Sequence, residues 1–131
     1  MKEVRGPLKV KGTPLDNDAI LTQIGAMRMT FEKSFEGALD ATGVVSMMGL
    51  MNQEKKAGSY VALEKITGSL EGRKGSFCLS HSSWTNNGVS NQSILVVPHS
   101  GTEQLEGLKG SMVIDIKDGT HSYIFSYEFE S

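Results

Sequence analysis

Tyr60-Val61-Ala62-Leu63-Glu64-Lys65-Ile66-Thr67-Gly68-Ser69-Leu70-Glu71-Gly72-Arg73-Lys74-Gly75-Ser76-Phe77-Cys78-Leu79-Ser80-His81-Ser82 is the stretch that decides the fold. Apolar and polar residues alternate on both sides of its centre, which is the period of a strand with one face in a core. Glu71-Gly72-Arg73-Lys74 reads as a hairpin turn with glycine at the first central position, the type II′ preference. That turn sets Leu70 opposite Gly75, Gly68 opposite Phe77, Ile66 opposite Leu79 and Glu64 opposite His81. Ile66, Leu70, Phe77 and Leu79 then share one face, while Lys65, Thr67, Ser69, Ser76, Cys78 and Ser80 share the other. A slip of one residue would mix the two sets, so the pattern itself specifies the faces.

The same period recurs outward from the hairpin. Met27, Met29, Phe31 and Phe35 alternate with Arg28, Thr30, Glu32 and Ser34. Tyr123, Phe125, Tyr127 and Phe129 alternate with Ser122, Ser126 and Glu128, with Ile124 breaking the polar side. Further short apolar runs fall near Pro7–Lys11, Val44–Met51, Val89–Val97 and Ser111–Ile116. Glycine, at 15 residues, punctuates these runs, and proline, at 3, hardly enters them. The tally is about eight strands, the number at which a closed sheet just fills its interior with side chains. Closure also removes the unpaired edges of an open sheet. The expected fold is therefore all-β, a closed antiparallel eight-stranded barrel, as one domain over residues 1–131. No segment sustains a helical period. Asp16-Asn17-Asp18 is placed to cap a short turn through Ala19-Ile20-Leu21, and Gly101–Gly107 has room for one helical turn.

Composition narrows the function classes. The 131 residues are 38% hydrophobic and 21% charged, with a net charge of -2, which fits a globular chain. The lysines and arginines are scattered, so neither nucleic acid nor a membrane surface is an expected partner. Cys78 is the single cysteine, and Met1–Pro7 carries no apolar signal core, so the protein is expected in the cytoplasm. His81, His99 and His121 lack close ligand spacing, and neither an H-E-x-x-H motif nor a G-x-S-x-G elbow is present. No metal and no cofactor are expected.

The residues that stand out for chemistry are Glu64 and His81. Both lie on the apolar face of the hairpin, within reach of a cross-strand hydrogen bond. A carboxylate turned into a core requires a partner, because an unpaired buried charge is expensive. Three readings stand: a satisfied pair that fixes strand register, a pair at the barrel mouth open to water, or an acid–base pair for proton transfer. Tyr60, Met29, Phe31, Phe77, Tyr123 and Tyr127 are the candidate ligand contacts, each with ordinary core packing as its alternative. The cluster Met27, Met29, Met47, Met48 and Met51 suits a pocket of adaptable shape, an irregular core or an oligomer interface. Trp84, Val61 and Leu63 fall on the outward face as an apolar patch. Such patches mark interfaces.

Tyr60–Leu70 with Gly72-Arg73-Lys74-Gly75-Ser76-Phe77 and Leu79-Ser80-His81-Ser82 resembles the central signature of a bacterial family, the domain of unknown function numbered thirty-two twenty-four. Val97-Pro98, Gly101-Thr102, Leu105, Gly107-Leu108 and Gly110 resemble its second signature, so the likeness spans the chain. Leu15–Gly25 lacks the acidic-glycine character of that region, and Met47–Met51 is richer in methionine. The resemblance implies an allene oxide cyclase-like barrel with a mostly apolar interior. Plant allene oxide cyclase, dirigent proteins and spirotetronate cyclases share that architecture and hold reactive apolar molecules. It carries over no catalytic residue, and fold likeness alone does not set function. Relatives with this barrel are oligomeric, and together with the outward patch of Trp84, Val61 and Leu63 that implies a homo-oligomer, a dimer ahead of a trimer. The expected function is a barrel that binds a small, largely apolar molecule. One alternative is an isomerase or cyclase with Glu64 and His81 in acid–base roles and Tyr60 orienting the substrate. The other is a filled barrel with a structural or interaction role. Whether the protein is an enzyme stays open at this point.

Overall fold

The central hairpin forms, but around a different turn. In the computed structural model, which describes residues 1–130, Glu71 (φ 48°) and Gly72 (φ 85°) are both left-handed. Two successive positive φ values make a type I′ turn. Gly72 supplies its second central position, and Glu71 takes the first, its carboxylate held by Lys2 at 2.8 Å and by the Tyr127 hydroxyl. Leu70 is consequently paired with Arg73, Ile66 with Phe77, Glu64 with Leu79 and Ala62 with His81. The expected register is thus corrected by two residues. Because the strand period is two, every side chain keeps its expected face.

The strands are β1 (Lys2–Leu15), β2 (Met27–Phe35), β3 (Leu39–Asn52), β4 (Ala57–Leu70), β5 (Arg73–Asn86), β6 (Val89–Val96), β7 (Leu108–Lys117) and β8 (Thr120–Phe129). They follow one another around a closed barrel in chain order, each antiparallel to the next, and β8 returns to β1. A short helix α1 (Ala19–Ile24) links β1 to β2. Asp18 caps it by accepting from the Leu21 amide at 2.8 Å, and Gly25 ends it at φ 83°. A single 3-10 turn, Glu103–Leu105, lies between β6 and β7.

The barrel is closed at one end and hollow at the other. At the closed end Phe35, Leu39, Ile66, Leu70, Phe77, Leu79, Leu105, Tyr123 and Phe125 are almost fully buried. Phe77 stacks on Phe125 with centroids 5.6 Å apart. The Tyr123 hydroxyl donates to the Glu36 carbonyl at 2.7 Å and accepts from the Leu39 amide at 3.2 Å, tying the β2–β3 turn down. The segment before β7 is pinned across this end by Thr102 on Ser76 and by Ser100 on Cys78, with Leu105 as its buried anchor. Each such Leu or Phe contributes about 1.5–3 kcal/mol, so stability resides mainly here.

The opposite end is where α1 and the β3–β4, β5–β6 and β7–β8 turns lie. There the wall is thinner at one seam. β6 and β7 share one paired position, Leu95 with Ser111. Nearer the mouth the Gln92 side chain bridges them instead, accepting from the Ile114 amide at 3.2 Å. On the outside, Trp84 (55% exposed), Val61 (48%) and Leu63 (64%) face outward as the alternation requires. Trp84 is held in a continuous ladder between Ser59 and Asn91.

Candidate functional site

Three buried ionisable side chains meet where the packed half gives way to the hollow half. Lys33 comes from β2, Glu64 from β4 and His81 from β5. They are the only buried Lys, Arg, Asp, Glu or His among the described residues. Each projects inward by simple strand alternation: Lys33 between Phe31 and Phe35, Glu64 between Ala62 and Ile66, His81 between Leu79 and Ser83. Glu64 and His81 are diagonal neighbours rather than directly opposed, and long side chains span that diagonal.

One carboxylate oxygen joins them. Glu64 Oε1 accepts from His81 Nε2 at 2.7 Å and from Lys33 Nζ at 3.1 Å. An ionised carboxylate only accepts, so the imidazole carries its proton on Nε2 and leaves Nδ1 for other partners. Glu64 Oε2 has no hydrogen-bond partner and lies over Gly43 of β3. A Cβ on Gly43 would collide with that oxygen and press within 3.2 Å of the Phe35 ring. The missing side chain is what lets the carboxylate cross β3 and reach Lys33. Side-chain exposure is 0% for Glu64, 7% for Lys33 and 5% for His81. Desolvating ions this fully costs several kcal/mol each before the pairing is counted, so the cluster is an expensive feature for a core.

Above it lies a cavity of about 280 Å³. Val10, Phe31, Val45, Met47, Ala62, Ile114 and Ile116 give it apolar walls, Lys33 and His81 reach it, and Tyr60, Gln92 and His121 supply its other polar groups. Glu64 does not line it, so the carboxylate is screened from an occupant by the two groups it holds. A larger hollow of about 600 Å³ runs along the outer wall past Thr30, Val44, Ser46 and Leu63; Glu64 is the one buried polar residue that borders it among the described residues, and no second one joins it there. The inner cavity is therefore the candidate site. Among the described residues no three His, Cys, Asp or Glu side chains gather into a metal-binding group. No helix is long and apolar enough to cross a membrane.

The structure brings Glu64 and His81 into contact and places Tyr60 and Phe31 on the cavity wall. Met29 is half-buried on the inward face of β2, one inward position nearer the mouth than Phe31. Three expected ligand contacts lie away from the cavity. Phe77 and Tyr123 are sealed into the packed half, where the aromatic stack and the Tyr123 hydrogen bonds use their whole surface. Tyr127 lies at the closed end, its hydroxyl committed to Glu71. Lys33 and Gly43 were missed by sequence reasoning. The signal for Lys33 was present: it occupies the inward parity of Phe31 and Phe35. Gly43 gave no signal, because its role depends on two neighbouring strands.

A family profile described as protein of unknown function (DUF3224) matches residues 4–127. A crystal structure of a protein of unknown function from the DUF3224 family of Shewanella oneidensis MR-1 is 39% identical in sequence. It superposes with a TM-score of 0.91 over 100% of this chain and 99% of that one. Among curated proteins none matches.

Proposed function

Since the chain belongs to the DUF3224 family, for which no function is established, the site itself must supply the reading, and we propose that the barrel binds a small, largely apolar molecule in its mouth cavity. The observation that carries this is the conjunction of an apolar-walled hollow with the protein's only cluster of buried ionisable side chains, among the described residues, at its floor. Binding sites typically combine mostly apolar lining with a few convergent polar groups. The cavity volume equals that of about nine waters in the liquid. An occupant of about that many non-hydrogen atoms fits, its polar end on Lys33 and His81 and its apolar body between Phe31, Val45 and Ile114. A barrel with a purely structural role gains nothing from an unfilled half, since voids forfeit contacts.

The same reading has the protein at work in the cytoplasm as a homo-oligomer, a dimer ahead of a trimer. The unpaired thiol of Cys78 supports a reducing compartment. Val61, Leu63 and Trp84, with Ser59, Ser80 and Ser82 as their cross-strand neighbours on β4 and β5, support self-association through this outer face. The direct test is amide chemical-shift mapping with cyclohexanone, a compact ketone that the cavity accommodates. Shifts clustered around Lys33, Met47, Ala62 and His81 are expected, and their absence from those positions overturns the reading.

A further inference from the structure

We infer that the floor of the cavity is a proton-transfer site for a small enolisable carbonyl compound, with His81 as the base, Lys33 as the group that holds the oxyanion, and Glu64 as the positioning residue. The inference rests on the binding reading above and adds a reaction to it.

Three observations converge. His81 spends Nε2 on Glu64, so Nδ1 is the nitrogen available to an occupant of the cavity that the ring lines. A base oriented through one nitrogen by a carboxylate, with the other nitrogen facing substrate, is the arrangement that proton abstraction requires. Lys33 also lines the cavity and gives one N–H to Glu64, which leaves two for an oxygen. Both groups bond the same oxygen, so the ammonium and the imidazole Nε2 lie within about 6 Å of each other. A carbonyl oxygen on Lys33 therefore brings its α-carbon toward His81. Finally, Glu64 Oε2 has no donor of its own. The carboxylate's charge is committed to the two groups on Oε1 and stands ready to stabilise an imidazolium. In a dry, apolar-walled site these interactions are far stronger than in water.

The step needs no co-reactant. The His81 Nδ1 lone pair takes a hydrogen from the carbon beside the carbonyl. The C–H electron pair becomes a carbon–carbon double bond, and the carbonyl π pair moves onto oxygen as an enolate facing the Lys33 ammonium. If the substrate carries a β,γ double bond, the imidazolium returns the proton to the γ-carbon. That step restores the carbonyl and leaves the double bond conjugated. The proton, the charge and every atom are accounted for within the site and one substrate.

The probe is the β,γ-unsaturated isomer of cyclohexenone, whose conversion to the conjugated ketone is followed by absorbance, with cyclohexanone binding measured in parallel. The wild-type protein should accelerate the conversion over buffer. His81→Gln and Lys33→Met should each weaken cyclohexanone binding by no more than about 10-fold, the apolar walls being intact, and lose at least about 100-fold in rate at saturating substrate, the low end for acid–base catalysis. Glu64→Gln should lower kcat more than it changes KM, and added imidazole should restore part of the rate to His81→Ala. Cyclohexanone binding in the cavity with no acceleration by the wild type overturns the inference and leaves the binding reading intact. So does acceleration that survives His81→Gln. Absence of binding in the cavity overturns both.

Discussion

At Gly43 the lack of a side chain decides where a charge can sit. The Glu64 carboxylate lies against its Cα, and a methyl group there would drive Oε2 toward Lys33 or out of the floor. Gly43→Ala should therefore destabilise the protein by about 1–3 kcal/mol, the usual cost of overpacking, in urea melts. A variant as stable as the wild type would mean that Glu64 does not lie over β3. Sequence reasoning reached Glu64 and His81 because alternation assigns faces and a buried carboxylate demands a partner. It passed over Lys33, whose inward parity was just as legible, because a lysine between two phenylalanines reads as an exposed interruption. It had no route to Gly43, since the requirement is set by a side chain two residues from its own cross-strand partner, Ile66.

The β4–β5 hairpin shows what an element's pattern specifies. Its two faces followed from alternation alone, but the turn did not. Whether Gly72 fills the first or second left-handed position depends on Glu71, and Glu71 is held there by Lys2 and Tyr127, distant in sequence. This contact makes a pH prediction. Burial first, and then the hydrogen bond to Glu71, push the Tyr127 phenol up to about 12. A phenol ordinarily titrates near 10. A group whose pKa is raised on folding contributes stability that is complete below its unfolded value and is lost as pH rises through its folded one. Stability should thus hold to about pH 10 and fall between about 10 and 12. Tyr127→Phe should lose less over that window. Part of the fall should remain, because burial raises the Tyr123 phenol as well. Urea melts at about pH 8 and about pH 11 measure the difference, and equal losses in the two proteins would remove Tyr127 from the account. The Glu71 carboxyl, held below the usual range first by Lys2 and then by Tyr127, gives the opposite arm. Its contribution is present above the ordinary carboxylate range and fades as pH falls through the lowered value.

Over the whole molecule, the barrel divides its labour: one half packed for stability, one half hollow, with the charged cluster at the boundary. Strand number and closure were readable because period-two alternation is local and repeats eight times around the sheet. Which half stays hollow was not readable. It depends on side-chain volumes summed around the barrel, where Phe35, Phe77 and Phe125 fill one level while Val45, Ala62 and Ile114 line another. That is why Phe77, Tyr123 and Tyr127 looked like ligand contacts. The outer surface follows from the same alternation, and self-association through Val61 and Leu63 predicts a mass above one chain by light scattering at micromolar concentration. Leu63→Glu should return it to a monomer, and a wild type that is already monomeric would contradict the proposed interface.

The claim on which the account depends is that the hollow half is a binding site, and titrating isotope-labelled protein with cyclohexanone tests it most directly. Saturable amide shifts are expected at Lys33, Val45, Met47, Ala62, His81 and Ile114, with silence at Phe77, Leu105 and Phe125, and with loss of the response in Ala62→Phe, whose ring would fill the cavity. Shifts confined to the outer wall around Val44 and Leu63, or a response that survives Ala62→Phe unchanged, would contradict it.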